Sequence, residues 1–435
     1  MSCELLSGSV ALPTDRVPAR AGRRCAARHD HDSVTLAAQA ILALPDHGSQ
    51  RPAALLFACV TPPYDEGGSA QVIAELAGLG EDLFCAELSA TPRDGLAAVR
   101  LADGLIAAGG GPVIVCGSHL RRASGERDAA DGAVALRLGD GGGVATLTPG
   151  PVHTEELRDR WRLPGDSAPR EADASFTEEH GAARTAALVA RGALGSVAAT
   201  VAARPSAGGR GAERAAPLPG IVVVPAARAG DRVERELGGP GDEAFARVGW
   251  LGAAHPLLRL LLSLDRGVVI VAASGGLAEA LTVEPHDGGP GLAAEIKAQL
   301  GGGREVDAIP PPPVQSGFEP YASAPRAWRE RGQDLRLEGV VQARRVRYPP
   351  PAGLDGPRRA IARRGRILTF TRDHVYPGDD VVEMAVVELD DGGRFYGQVA
   401  AGEHVELGQE VRLAPRRLHT GGGIVQYYWK VTTCR

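Results

Sequence analysis

Short apolar segments, each followed by a segment of helical spacing, constrain the fold of this chain more than any other feature. Residues 55–60 and 112–118 are largely apolar runs, the pattern of strands that are covered on both faces. Residues 69–80 and 94–110 carry apolar side chains at helical spacing and end at glycines. The first 150 residues therefore predict an α/β unit with a sheet buried under helices.

Two further strands are expected at the end of this first part. Residues 132–140 and 143–150 alternate apolar and small or polar side chains, and a glycine-rich turn separates them. Such a turn between two strand patterns favours a hairpin. We therefore predict that these two strands pair directly.

The strand and helix pattern starts again after a polar, irregular stretch from residue 148 to residue 184. Helical segments at 182–194, 231–237 and 253–264 alternate with apolar strands at 220–226 and 267–274, while residues 202–219 have little to bury and predict a loop. This second pass repeats the first and predicts two similar α/β halves.

The C-terminal part has a different character. A proline-rich segment at 309–317 comes first. From residue 335 onward, short strand patterns are joined by tight turns and no long helix is indicated, which predicts a small β-barrel. The predicted domains are 1–150, 151–308, a linker at 309–334, and 335–435.

Composition excludes several classes of protein. The net charge is −5, so the whole chain has no nucleic-acid footprint. Six cysteines lie far apart without a CxxC pair, which predicts neither a disulfide framework nor a zinc ribbon. With no signal-peptide pattern at the start and no long apolar run, we expect a cytoplasmic protein without a membrane span.

Several longer strings together resemble one group of proteins. They are FACVTPPYDEGGSAQVIAELAGLG (57–80), PRDGLAAVRLADGLIAAG (92–109), VGWLGAAHPLLRLLLSL (248–264), RILTFTRDHVY (366–376) and RRLHTGGGIVQYYWK (416–430). The chain resembles HMG-CoA synthases and 3-oxoacyl-ACP synthases III of the thiolase superfamily, fused to an OB-fold domain that accompanies acyl-CoA enzymes. The resemblance implies a duplicated, five-layer αβαβα core followed by an all-β OB-fold barrel.

The resemblance also implies a reaction centre, whose parts this sequence has changed. Condensing enzymes need a thiolate at a helix N-terminus, where the helix dipole lowers its pKa, and polar groups that polarise the thioester carbonyl. Pro92 stands at the nucleophile position, Val60 near the glutamate position and Trp250 at the asparagine position. The segment expected to supply histidine, residues 222–232, offers alanines instead. We therefore predict that cysteine-dependent condensation is lost.

Other side chains are candidates for acid–base work in the same region. They are Asp65, Glu66, Arg93, His119 and His255. A carboxylate pair in a loop is also common as plain surface, and His255 could instead cap the helix that begins next to it. Cys85 lies seven residues before Pro92 on an expected strand, and we expect a structural thiol there.

The arginines at the start of the C-terminal domain are candidates for binding a CoA phosphate, because guanidinium groups match phosphate oxygens. They are Arg344, Arg345 and Arg347. Solvated surface arginines are the alternative. Relatives carry a four-cysteine zinc ribbon here, whereas residues 337–359 contain no cysteine or histidine, so we predict neither a metal nor a cofactor.

Two functions remain open. The first is an acyl-thioester enzyme of bacterial secondary or lipid metabolism, acting on acyl-CoA or acyl-ACP through non-standard C–C bond or acyl-transfer chemistry. The second is a catalytically inactive subunit that binds or scaffolds an active condensing enzyme. Either would be a homodimer or a heterodimer with another thiolase-fold subunit, and neither involves nucleic acid or a membrane.

Overall fold

The computed structural model describes residues 3–19, 22–45, 50–121, 128–163, 165–166, 168–203, 220–225, 229–311, 321–343, 345–351, 353–374 and 381–434. The chain forms two compact units. The core unit comprises Met1–Ala26, Ala40–Ala70 and Glu81–Asp307, and the C-terminal unit comprises Ala27–Gln39, Gln71–Gly80 and Ala308–Arg435. Two short N-terminal segments thus fold with the C-terminal part.

Strands and helices alternate along the core unit, and strands dominate the C-terminal unit. The strands are β1 (Cys3–Ala11), β2 (Asp15–Ala19), β3 (Gly22–Ala26), β4 (Ala54–Ala58), β5 (Phe84–Leu88), β6 (Val113–His119), β7 (Gly132–Gly139), β8 (Ala145–Thr154), β9 (Arg160–Trp161), β10 (Arg170–Glu171), β11 (Gly220–Pro225), β12 (Val268–Ser274), β13 (Leu277–Pro285), β14 (Arg304–Glu305), β15 (Glu338–Gln342), β16 (Arg345–Arg347), β17 (Arg358–Ala360), β18 (Arg364–Asp373), β19 (Val382–Leu389), β20 (Arg394–Gln398), β21 (Glu410–Gly421) and β22 (Ile424–Thr433). The helices are α1 (Ser33–Leu42), α2 (Ala70–Ala77), α3 (Asp94–Ala107), α4 (Ala174–His180), α5 (Ala182–Ala203), α6 (Ala229–Glu236), α7 (Glu243–Val248), α8 (His255–Leu262), α9 (Gly289–Leu300) and α10 (Ala324–Asp334), and a 3₁₀ turn spans Gly252–Ala254.

A nine-stranded mixed sheet with the order β11-β12-β13-β8-β1-β7-β6-β4-β5 organises the core unit. In one half, β4 runs parallel to β6, and the antiparallel strands β7 and β1 follow. In the other half, β11 runs parallel to β12, and the antiparallel strands β13 and β8 follow. The two halves therefore repeat one strand order, although β5 has no counterpart in the sheet's second half.

The predicted pairing of residues 132–140 with 143–150 is wrong, because β1 lies between β7 and β8. β1 pairs antiparallel with β7 along most of its length and with β8 at Cys3–Leu5. The residues Ser7, Gly8 and Ser9 at the centre of β1 interrupt its apolar pattern, so the sequence did not indicate a strand there. Ser9 is buried and its hydroxyl donates to the carbonyl of Ala40 at 2.6 Å, so a polar side chain is satisfied inside the core.

Two helices form the centre of the core unit. The buried face of α3 carries Leu96, Ala98, Val99, Ala102 and Ile106. In α8, every residue from His255 to Leu261 is buried, which is typical of a helix surrounded by other elements. These two helices place the candidate site, because the first turn of α3 and the turn before α8 adjoin each other.

The C-terminal unit contains a five-stranded antiparallel sheet with the order β20-β19-β18-β21-β22. A parallel bridge between Val399 and Val431 connects the residue after β20 to β22. Trp429 and Phe395 are fully buried in this unit. A separate three-stranded sheet has the order β16-β15-β17, and α10 lies within the stretch predicted as a linker.

Among the helices of the described residues, none has the length and hydrophobicity that crossing a membrane would require.

Candidate functional site

Asp94, the first residue of α3, binds the segment that precedes the helix through its carboxylate. Oδ2 of Asp94 accepts hydrogen bonds from the backbone N–H groups of Ala90 at 2.8 Å and Thr91 at 2.9 Å. The hydroxyl of Thr91 donates to Oδ1 of Asp94 at 2.8 Å. Pro92 follows Thr91 and has neither a nucleophile nor an N–H. The segment before α3 therefore offers a proline and a hydroxyl that is already hydrogen-bonded.

Arg93 is held by a buried carboxylate from the opposite half of the sheet. Its guanidinium lies 2.5 Å from Oε1 of Glu279, and Nε of Arg100 lies 3.0 Å from Oε2 of the same side chain. Glu279 is only 1% exposed. A buried carboxylate with two guanidinium partners has its charge compensated, so Arg93 is committed to a structural ion pair in this conformation.

The turn at Gly252–Ala254 packs against α3 and β6 without room for additional atoms. A Cβ on Gly95 would overlap the carbonyl oxygen of Ala253. A Cβ on Gly117 would lie 2.7 Å from Cα of Ala254. Glycine at these two positions allows backbone to approach backbone, and the turn is fixed against the start of α3.

Trp250 lies just before this turn between two other side chains. It is 7% exposed. The ring of His119 lies 5.4 Å from the Trp250 ring, and the Arg160 guanidinium lies 5.1 Å above it, which is cation–π geometry. The Nδ1 atom of His119 is 2.8 Å from the carbonyl of Ala130, so Nδ1 carries the proton. The indole thus fills space that a smaller residue would leave open.

His255 uses both of its ring nitrogens. The backbone N–H of Leu251 donates to Nδ1 at 3.3 Å, so Nε2 carries the proton and donates to Asp242 at 2.7 Å. Arg259 also contacts Asp242, at 2.9 Å. Burial opposes ionisation of Asp242, but His255 and Arg259 outweigh it and hold the pKa of this carboxyl well below its usual range. An acid–base role for His255 would require one of these bonds to break.

The two acidic candidates differ in exposure from the partly or fully buried Arg93, His119 and His255. Asp65 and Glu66 are exposed in the loop between β4 and α2. Arg93, His119 and His255 have Glu279, Ala130 and Asp242 as their respective partners. The structure therefore gives each candidate its own surroundings, and their catalytic roles stay predictions.

Cys85 and Cys59 of the core unit lack the properties of a nucleophilic thiol. Burial, with a smaller effect from Glu87, raises the pKa of Cys85, which lies in β5. Cys59 is 2% exposed and its sulfur accepts the backbone N–H of Thr61 at 3.3 Å. A reactive cysteine needs a lowered pKa and access to solvent, so neither thiol has the properties of a condensing nucleophile.

The three arginines predicted to bind CoA phosphate are described unevenly. Arg344 lies outside the described residues, and only the backbone of Arg345 is described, in β16. Arg347 is exposed, and its Nε donates to Oε1 of Gln342 at 3.1 Å. Their role stays a prediction.

Sequence reasoning missed two acids in this region, the buried Glu279 and the partly exposed Asp242. Glu279 interrupts an apolar strand, and its position alone was the available signal. Arg93 and Arg100 are seven residues apart and share one face of α3, which could have indicated a common partner. Asp242 precedes α7, and its Oδ1 accepts the N–H of Phe245 at 2.9 Å, the geometry of a helix N-cap.

Comparison with known proteins reveals similarity only at the level of structure. No protein-family model and no curated protein matches the sequence. An HMG-CoA synthase complexed with CoA matches with a TM-score of 0.58 and 11% identity, over 75% of this chain and 96% of the other. PksG, an HMG-CoA synthase from Bacillus subtilis, matches with a TM-score of 0.55 and 13% identity, over 92% of this chain and 100% of PksG.

A shorter protein matches part of the chain. 3-Oxoacyl-(acyl carrier protein) synthase III from Pseudomonas aeruginosa has a TM-score of 0.53 and 17% identity, over 66% of this chain and 98% of its own. At such identities the likeness concerns the fold. The chain is therefore an α/β protein that shares the fold of HMG-CoA synthases and 3-oxoacyl-ACP synthases III and carries a separate antiparallel sheet at its C-terminus.

Proposed function

We propose that this protein binds an acyl thioester, carried by CoA or an acyl carrier protein, and processes it without a cysteine nucleophile. A C–C bond step or an acyl transfer between bound partners is the reaction class. One observation carries the proposal: Pro92 lies two residues before α3, and the neighbouring Thr91 hydroxyl donates to Asp94. The structural neighbours include an HMG-CoA synthase in complex with holo donor-ACP.

We also propose that the core unit has the five-layer αβαβα arrangement and that the C-terminal unit is an OB-type barrel. The repeated strand order in the two halves of the large sheet supports the first. The order β20-β19-β18-β21-β22, with a parallel bridge from Val399 to Val431 that joins the two ends, supports the second. Lining of a CoA channel by Arg344, Arg345 and Arg347 belongs to this proposal.

The test combines binding with chemistry. The purified protein is titrated with acetyl-CoA and with acyl-ACP in a calorimeter, and the products are then identified by mass spectrometry. We expect saturable binding and a turnover that survives prior alkylation with iodoacetamide, because no thiol takes part. Absence of binding to both carriers, or activity that alkylation abolishes, would contradict the proposal.

A catalytically inactive subunit is the second candidate, and the engaged side chains favour it. Arg93 is paired with the buried Glu279, and both nitrogens of His255 are bonded. Trp250 packs between His119 and Arg160. A site whose polar groups are satisfied by one another is stable without substrate, which suits a subunit that binds and supports an active enzyme.

Co-expression separates the two candidates. The chain is expressed with a catalytically competent thiolase-fold enzyme from the same genome, and the assemblies are sized by chromatography with light scattering. The subunit proposal expects a stable heterodimer and no turnover by the isolated chain. A homodimer that ignores the competent enzyme and turns over acetyl-CoA alone would contradict it.

A further inference from the structure

The C-terminal unit contains a cavity of about 400 Å³ whose wall is rich in arginine. Helix α10 forms one side, and the chain from β16 to β17 forms the other. The cavity wall includes Arg329, Arg331, Arg336, Asp355 and Arg358. Four arginines thus line one space of a size that suits a small molecule.

Two of the four guanidinium groups are already occupied. Arg336 forms a two-point ion pair with Glu75, of which the Nη2–Oε1 distance is 2.9 Å. Arg331 lies 3.9 Å from the same carboxylate, and its guanidinium is 5.0 Å from the ring centroid of Trp328. Glu75 therefore offsets the charge of Arg336 and only part of the charge of Arg331.

The other two guanidinium groups have no such partner. In the described part of the chain, no hydrogen bond or ion pair engages Arg329 of α10 or Arg358 of β17, and both are exposed to solvent. They come from different elements and line the same cavity. These two unpaired cations leave positive charge at the cavity wall, and a bound anion would offset that charge.

The carboxylates that line the cavity determine which hydrogen-bond acceptors are available to a ligand. Glu330 accepts from Arg326 at 2.9 Å, and Glu338 lies 3.8 Å from Arg336. Asp355 has no partner among the described residues and can accept a hydrogen bond from a ligand. The uncommitted groups are thus two cations and one acceptor, beside an apolar wall of Pro350, Pro351 and Leu354.

We propose that this cavity binds a phosphate-bearing small molecule that also carries hydrogen-bond donors. Arg329 and Arg358 hold the phosphate, because planar guanidinium groups bind phosphate oxygens through paired N–H donors. Asp355 accepts from a hydroxyl or amino group of the same molecule. Nucleotides and the adenosine 3′-phosphate of CoA both have this chemistry. The site does not require the thioester proposal.

Calorimetric titration of the full-length protein tests the site. The probes are inorganic phosphate, ADP, CoA and dephospho-CoA, and the variants are Arg329→Gln and Arg358→Gln. We expect at least one phosphate probe to bind and each variant to weaken it about tenfold, as the loss of one charge-assisted contact predicts. Arg359→Gln is the matched control, because it is the exposed neighbour in β17 but does not line the cavity.

The probes also distinguish the source of the phosphate. Arginine-dependent binding of CoA but not dephospho-CoA identifies the 3′-phosphate of CoA, whereas equal binding of ADP identifies a nucleotide, and either supports the site. No binding by any probe, or binding unchanged in the double variant with an unaltered melting temperature, overturns it. Arginine-dependent phosphate binding without any affinity for acyl-CoA would retain this site while the thioester proposal fails.

Discussion

At the scale of single residues, buried carboxylates form ion pairs inside the protein. In the C-terminal unit, Asp30 is 2% exposed and lies 3.4 Å from Nζ of Lys430 and 3.9 Å from Nε of Arg416. The backbone N–H of Ala401 donates to it at 2.9 Å. Burial opposes its charge, but the two cations outweigh burial and hold the pKa of Asp30 well below its usual range.

Asp30→Asn should destabilise the C-terminal unit by about 3–5 kcal/mol, because it leaves buried cations without their counter-charge. Urea unfolding measures the loss. The control Glu410→Gln removes an exposed pair with Arg366 and should cost less than about 1 kcal/mol. Equal effects of the two substitutions would contradict the buried ion pair.

The same ion pair sets a pH dependence. A carboxyl with a lowered folded-state pKa contributes stability above its unfolded pKa of about 4, and that stability is lost as pH falls further. The wild-type melting temperature should therefore fall steeply below pH 4. In Asp30→Asn the fall should be shallower, and an identical slope in both proteins would disprove the contribution of Asp30.

The pKa of Asp334 is shifted in the opposite direction from that of Asp30. Burial, with Glu330 adding to it, raises the pKa of Asp334 to about 6. The folded state then binds the proton more tightly than the unfolded state, so stability is lost as pH rises from about 4 to about 6. Asp334→Asn should stabilise the protein at pH 7 by an amount on the order of 1 kcal/mol and leave it unchanged at pH 4. Melting curves at both values test this, and stabilisation at pH 4 alone would contradict it.

At the scale of elements, the contact between α3 and the turn before α8 fixes the candidate site. Gly95 faces the carbonyl oxygen of Ala253, and no atom lies within 4 Å of a Cβ placed on Gly104 in the same helix. The two glycines thus differ only in their surroundings. They provide a direct measure of how tightly the turn is packed.

Gly95→Ala should destabilise the core unit by about 1–3 kcal/mol or more, since a backbone must move. Gly104→Ala should stabilise it by about 1 kcal/mol, because alanine is the better helix former. Denaturant unfolding of both variants gives the comparison. If Gly95→Ala were as harmless as Gly104→Ala, the close packing of the turn would be wrong.

Sequence reasoning located the elements well where apolar patterns were continuous. It expected a helix at residues 94–110, and α3 spans Asp94–Ala107. It missed β1 because Ser7, Gly8 and Ser9 interrupt the apolar pattern although they are buried or tightly packed. Strand pairing over long separations depends on such packing, which spacing alone does not report.

For the candidate site residues, too, the sequence indicated local features but not tertiary contacts. Pro92 and Trp250 became candidates through the resemblance alone, and the loss of cysteine-dependent condensation stays a prediction. The partners Glu279 and Asp242 were missed because their importance depends on tertiary contacts with Arg93 and His255. A side chain's commitment to a partner is a property of the fold, so the sequence could not distinguish a catalytic histidine from an engaged one.

At the scale of the whole molecule, the protein shares the fold of HMG-CoA synthases and 3-oxoacyl-ACP synthases III and has a proline just before α3. The core unit keeps the repeated sheet and its two central helices. The start of α3 offers no sulfur, and the thiol of Cys85 has a raised pKa. The central claim is that no acyl group becomes covalently attached to this protein.

Intact-protein mass spectrometry after incubation with acetyl-CoA tests that claim directly. The wild-type mass should stay unchanged. Pro92→Cys should gain one acetyl group, because a thiol at a helix N-terminus has a lowered pKa, and the exposed native Cys434 serves as the internal control. A wild-type protein that gains an acetyl group on Cys59 or Cys85, or a variant thiol no more reactive than Cys434, would contradict the account.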